Sequence, residues 1–229
     1  AASRQVDGLI KQLQRAGGGH NSRQQNGGFQ QGNGQVDKLL DGGRTVDAGG
    51  LVLGICNGFQ LLVKLGVLPA LDGKRFERQV SLSHNDSARY EDRWVQLKPN
   101  PDSPCIFTKG LAVHGVLPMP VRHGEGKLVA RDAATLQRLQ DENLIALQYT
   151  HPETGEATQE HPWNPNGSPL AIAGLTDPTG HILGLMPHPE AFHHATNHPG
   201  WTRGEVAVPG TALFANAVRY LRENPVNHS

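Results

Sequence analysis

The sequence predicts an α/β fold with an antiparallel elaboration in its middle, and three observations carry that reading. Leu51 to Ile55 is a short, continuously apolar run followed at once by a helical stretch reaching Gly66, the pattern of a strand buried on both faces that feeds a helix. The runs "RQVSLSH", "RWVQLK", "VLPMPV" and "GKLVAR" are short, partly alternating and separated by turn residues, which suits antiparallel pairing. Strand and helix patterns then interleave to the end of the chain, as in an α/β architecture.

Taken in order, Val6, Leu9, Ile10 and Leu13 recur at helical spacing and predict a short amphipathic helix that stops at Gly17 to Gly19. The following "GGGHNSRQQNGGFQQGNGQ" is rich in Gly, Gln and Asn and poor in core-forming residues, so it reads as a long loop or a poorly ordered segment. Beyond the middle runs, "RDAATLQRLQDEN" predicts a helix capped by Asp132, and "LIALQY" the strand after it. A loop from His151 to Ser168 leads into the strand "LAIAGL", the turn "TDPTG" and the strand "HILGLM". A helix from about Thr211 to Arg222 closes the order of elements. At 229 residues the chain reads as one domain over 1–229, with residues 1–36 anomalous in composition or incomplete.

Charge and cysteine usage narrow the function. Lys+Arg and Asp+Glu both number 21, so the formal net charge is zero and there is no electrostatic footprint for nucleic acid or an anionic membrane. No apolar run approaches a membrane span, and the start "AASRQVDGLI" lacks the layout of a signal peptide, so the expected compartment is the cytoplasm. The two cysteines, Cys56 and Cys105, make neither a disulfide scaffold nor a paired-cysteine zinc site.

Cys56 is placed for chemistry. Gly54-Ile55-Cys56-Asn57-Gly58 has the glycine spacing of a nucleophile elbow between a predicted strand and helix. A helix N-terminus, with unpaired N–H groups and the positive end of the helix dipole, favours a thiolate. The other reading of the same stretch is a buried structural cysteine at a tight turn. A nucleophile needs a base, and "GLMPHPEAF" sets His188 and Glu190 just past the C-terminal end of a second strand, the edge of an α/β sheet where ligands bind. Pro187 and Pro189 are expected to keep this stretch extended, so that residues two apart share a side and Glu190 lies beside the imidazole. The alternative is an exposed loop histidine next to a solvated glutamate.

"GICNGFQ" followed far downstream by "MPHPE" resembles the class I glutamine amidotransferases of the triad type, and the Asn-Gly-Phe after the cysteine is similar to the glutaminase branch of phosphoribosylformylglycinamidine synthase. "LSHNDSARYEDRWV", "VRHGEGKLVARD" and "NPNGSPLAIAGLTDPTGHILGLMPHPE" resemble signatures of that branch, and the resemblance runs from about Asp37 to the C-terminal helix. It implies a flavodoxin-like three-layer sandwich with a mainly parallel central sheet. It also implies that Cys56 attacks glutamine, that His188 protonates the departing ammonia and that Glu190 orients His188. The N–H of Asn57 and an N–H near Gly28, in "NGGF", would form the oxyanion hole, and Gln60, Asn85 and Ser87 would bind substrate. The implied partner is an ATP- and magnesium-dependent synthetase subunit, with room for a small accessory subunit, to which ammonia passes for purine synthesis; no cofactor is implied for this chain. The chain departs from the family in three places, with no apolar strand before Leu51, with Asn26 where the oxyanion loop has proline, and with a shorter segment than expected between that loop and Gly50. The same triad would also serve another cysteine hydrolase or amidotransferase, and a catalytically silent interaction module is the rival of a different class.

Three features have plainer readings. His193, His194 and His198 lack an acidic or cysteine partner and read as surface or interface rather than a metal site. His123 and Glu125 in "RHGEG" offer either an acid–base pair or a tight structural turn. Cys105, after Pro104, reads as packing.

Overall fold

The computed structural model describes Val46, residues 49–205 and residues 207–225. The helix expected around Val6 to Leu13, the glycine-rich segment and Gly28 lie outside the described residues.

The expected strand and helix around the elbow are β1, Val52–Ile55, and α1, Asn57–Lys64. The middle of the chain supplies β2 (Val80–His84), β3 (Glu91–Pro99), β4 (Leu117–His123) and β5 (Glu125–Ala130). Helix α2, Ala133–Asp141, starts where Asp132 accepts the Thr135 N–H, the cap expected from the sequence. Strands β6 (Ile145–Thr150), β7 (Ile172–Thr176) and β8 (Ile182–Leu185) follow, and α3, Thr211–Glu223, comes last.

Six strands form one sheet in the order β1-β8-β7-β6-β3-β4, while β2 and β5 make a separate antiparallel ribbon. Strand β1 runs parallel to β8, with Ile55 level with Leu185, and the remaining neighbours in the sheet are antiparallel, so among the described residues the sheet is mainly antiparallel rather than the mainly parallel one expected. Alternate side chains enter two cores, one on each face. Leu53, Ile55, Leu183 and Leu185 join Leu213 and Ala217 of α3 on one side; Val52 and Ile182 join Phe59, Leu62 and Leu139 of α1 and α2 on the other. The result is a three-layer α/β sandwich of the flavodoxin-like kind, with Cys56 packed against both cores at the end of the sheet. No helix among the described residues is long and apolar enough to cross a membrane.

Strand β4 explains its own odd composition. Pro118 and Pro120 cannot donate to a ladder, so they belong on an edge with their ring nitrogens turned away from the neighbour. Leu117, Met119, Val121 and His123 point their side chains inward, and β4 is the last strand in the order. The unpaired carbonyls of its outer edge remain available. Because the sheet curls, that edge returns to the far end of the order: the Pro120 carbonyl accepts the His188 N–H at 2.8 Å, and the Arg122 carbonyl accepts the Cys56 thiol at 3.9 Å.

The helix after β1 sits close to the sheet because Gly54 and Gly184 stand opposite one another in the parallel pair. A Cβ on Gly54 would lie 2.8 Å from the Gly58 backbone, and one on Gly184 would lie 2.1 Å from the Phe59 ring. We predict that Gly184→Ala lowers stability by about 1–3 kcal/mol, the ordinary cost of overpacking a filled core. A urea denaturation midpoint equal to that of the parent chain would show that α1 has slack to move.

Candidate active site

The backbone of Cys56 is held at φ 52°, ψ −107°, a left-handed conformation for a residue with a Cβ. Such a position costs on the order of 1–3 kcal/mol and survives only where its surroundings dictate it. They do so here from both sides. The Cys56 N–H donates to the Leu185 carbonyl at 2.8 Å, continuing the β1–β8 ladder, and the Cys56 carbonyl accepts the Gln60 N–H at 3.1 Å, opening α1. The thiol makes no capping bond to its own helix. It stands instead at the helix N-terminus, where Asn57 is the first helical residue.

His188 arrives from the neighbouring strand. Since β1 and β8 are parallel, their C-terminal ends lie side by side, and the chain leaves β8 over the same edge as Cys56. The His188 backbone is tied to Pro120, and its Nδ1 lies 2.6 Å from Glu190 Oε1. The route to that contact differs from the extended one expected from the two prolines. Pro189–Ala191 forms a single 3-10 turn, for which proline's fixed φ is well suited, and the turn folds Glu190 back onto the ring of His188. Burial opposes a charge on His188, but the bonds to Cys56 and Glu190 and the negative charge on both outweigh it and push the imidazole up to about 9. With Glu190 on Nδ1, Nε2 is the nitrogen left to interact with Cys56; it is buried and has no hydrogen-bond partner among the described residues.

The other expected site residues are placed as follows. Gln60 donates from Nε2 to the Glu125 carbonyl at 2.9 Å, so the first turn of α1 is latched to the point where β4 gives way to β5. A cavity of about 340 Å³ opens beside that turn and is lined by Asn57, Gln60, Lys64, Arg78, Ser81 and Glu125 among others. Asn85 is buried and spends its amide on the Arg89 and His123 carbonyls, at 2.9 and 2.8 Å. Ser87 donates to Glu91 at 2.6 Å. Both serve the loop between β2 and β3 as polar supports, and each has its bonds within the protein.

"RHGEG" makes the passage from the main sheet at His123 to the ribbon at Glu125. His194 caps a 3-10 turn over Ala195–Asn197, while His198 packs edge-on against Trp94 with ring centroids 5.3 Å apart. The three histidines share no helix, and no group of three or more potential metal ligands occurs among the described residues. Cys105 is fully buried, and burial pushes its thiol up. Sequence reasoning missed the carbonyls of Pro120 and Arg122, and also Tyr149, a buried phenol that receives an N–H from Asn166 at 3.1 Å and lies within electrostatic reach of Cys56. The Pro-x-Pro spacing in "VLPMPV" was the available signal for an edge strand.

Comparison with known proteins adds the following. Residues 35–221 match the model of the CobB/CobQ-like glutamine amidotransferase domain. The chain is 40% identical over 184 residues to the phosphoribosylformylglycinamidine synthase subunit PurQ of Dehalococcoides mccartyi, an alignment covering 79% of this chain and 67% of that protein. It is 38% identical over 190 residues to the subunit of the same name from Methanococcus maripaludis, covering 78% and 69%. Among solved structures it resembles a chain of PurLQS from Thermotoga maritima, with a TM-score of 0.53, 26% identity, and coverage of 80% of this chain and 67% of that one.

Two outcomes test the geometry. Glu190 raises the His188 imidazole, so removing its charge in Glu190→Gln must lower the midpoint from about 9, by about one to two pH units, as read from the ring carbon shift in an NMR titration. An unmoved midpoint would mean that the carboxylate does not hold the ring. An electrophilic amino-acid analogue should alkylate Cys56 and spare Cys105, as peptide mapping will report; labelling of Cys105 alone would remove the case for a reactive Cys56.

Proposed function

The chain belongs to the CobB/CobQ-like glutamine amidotransferase domain family, and from that membership we propose that it is the glutaminase component of phosphoribosylformylglycinamidine synthase. The observation that supports this most directly is the convergence of Cys56, His188 and Glu190 at the C-terminal ends of two parallel strands.

In this reading the Cys56 thiolate attacks the side-chain carboxamide carbon of glutamine, and the carbonyl oxygen takes up the charge facing the N–H of Asn57 at the start of α1. The His188 imidazolium gives its Nε2 proton to the amide nitrogen as the C–N bond breaks, releasing ammonia and leaving a glutamyl thioester. Water, deprotonated by the now neutral imidazole, adds to the thioester; glutamate leaves and the thiolate–imidazolium pair returns. Glu190 keeps the ring oriented and its charged form favoured throughout. Gly28, the expected second oxyanion donor, lies outside the described residues and stays an expectation. The cavity beside Gln60 is of a size to take the amino-acid end of glutamine. Gln60, Asn85 and Ser87 enter the proposal in different ways, Gln60 as a wall of that cavity and the other two as polar supports of the loop between β2 and β3.

The liberated ammonia would pass to a synthetase partner that makes formylglycinamidine ribonucleotide with ATP, the association suggested by the assembly named for the Thermotoga structure. Cytoplasmic residence belongs to the same proposal, because the partner's chemistry draws on nucleotide pools.

Replacing Cys56 by Ala should abolish glutamine-dependent amidine formation by the assembled enzyme and leave the reaction with added ammonium salt within about twofold, since only the first half of the chemistry needs the thiol. Equal loss with both nitrogen sources would refute the division of labour.

A further inference from the structure

Glu125, in "RHGEG", has no part in the bond-breaking steps, yet it lines the cavity beside α1. Its main chain is pinned there. The Glu125 carbonyl takes the Gln60 amide at 2.9 Å, and the residue pairs with His84 across the β2–β5 ribbon. Its carboxylate is half exposed and, among the described residues, meets only the exposed His84 ring, 3.4 Å away. A neutral imidazole gives a carboxylate no countercharge.

Two cations, Lys64 and Arg78, line the same cavity. Asn57, Gln60 and Lys64 follow one another at three- and four-residue spacing, so they share one face of α1. Helical side chains lean toward the N-terminus, which brings the Lys64 ammonium back toward Gln60 and the wall that holds Glu125. Arg78 enters from the segment just ahead of β2. Neither cation forms an ion pair or a side-chain hydrogen bond among the described residues. The cavity thus carries both signs of charge, and they are not joined to each other.

Its position relates it to the nucleophile, because Asn57 directly follows Cys56. In glutamine the α-carbon stands about 4 Å beyond the amide carbon, less than the ~5.4 Å rise of one helical turn. With the amide carbon at Cys56 and the substrate running along α1, the α-groups come level with Gln60.

We propose that this cavity reads the two α-groups of free glutamine, Glu125 receiving the α-ammonium and the end formed by Lys64 and Arg78 receiving the α-carboxylate. The inference rests on the glutaminase reading. A zwitterion completes both halves of the cavity at once, whereas a ligand with one charge leaves the other half unmatched. Glutamine inside a peptide has neither charge and adds chain on both sides, so the cavity refuses it. These contacts lie away from the breaking bond and are the same before and during reaction, so they set KM rather than kcat.

The test measures ammonia release by the assembled enzyme from three substrates: L-glutamine; glutaramate, which lacks the α-ammonium; and L-glutaminamide, which lacks the α-carboxylate. Glu125→Gln leaves the bond from Gln60 intact, since that bond uses the main chain. It should raise KM for glutamine about 10- to 100-fold with kcat within about threefold, lower kcat/KM for glutaminamide to match, and change that for glutaramate by less than about threefold. Replacing Lys64 and Arg78 together by Gln should give the crossed result, with glutamine and glutaramate impaired and glutaminamide spared. An analogue too slow to follow is measured as a competitive inhibitor of glutamine hydrolysis, where the same crossing must appear. KM does not depend on how much of a variant is correctly folded. If neither variant raises KM for glutamine by threefold, or if each impairs all three compounds by the same factor, the proposal is overturned. Failure of the underlying reading looks different: the parent enzyme would release no ammonia from glutamine, or Cys56→Ala would release it undiminished.

Discussion

Backbone carbonyls on the outer edge of β4 hold the two halves of the candidate site in place. Strand β4 lies at the opposite end of the sheet order from β1, yet the sheet curls so that its edge closes against the ends of β1 and β8. Pro120 takes the His188 N–H and Arg122 takes the Cys56 thiol. An open strand edge is usually a liability, inviting a second chain to pair. Here two prolines remove donors from that edge, and two of its carbonyls, those of Pro120 and Arg122, are satisfied from within. What would be an exposed ladder becomes the seat of the candidate site.

The elbow depends on that seat and on the close approach of α1. A strained Cys56 is tolerable because the Leu185 carbonyl and the first bond of α1 fix it from both ends, and because glycines on both strands let the helix settle against the sheet. Behind the thiol runs a layer of buried polar groups, Tyr149, Asn166, His123 and Asn85, nearly all satisfied by one another. Such networks rigidify when complete, and a single unmatched atom within one is conspicuous.

How much of this the sequence discloses depends on how local the signal is. The elbow reads directly, since glycine spacing, an apolar run and a helical pattern are all contained in a few residues around Cys56. His188 and Glu190 read because their place after an apolar strand is also local, although the turn that joins them is a 3-10 turn rather than an extended pair. The Asp132 cap and the strands "LIALQY" and "HILGLM" fall where pattern and propensity agree. Strand order does not read, because nothing in "VLPMPV" says which strand lies beside it. The roles of Pro120 and Arg122 are invisible for a deeper reason: a carbonyl oxygen is common to every residue, so its use leaves no mark in side-chain chemistry. Asn85 and Ser87 carry the right functional groups, and only their neighbours in space reveal that those groups are already engaged.

Anchoring by main-chain atoms has a consequence for how this site can vary. The identity of the side chain at Arg122 is nearly irrelevant to the bond its carbonyl makes, so many codons there encode an equally good seat for the thiol. The phase of the strand is another matter. Deleting one residue between Leu117 and His123 would exchange inward for outward positions, bury the anchoring oxygens and expose His123. In a lineage of such chains, point substitutions at the seat would accumulate quietly while changes of length in β4 would be purged, a pattern of tolerance opposite to that of sites built from side chains.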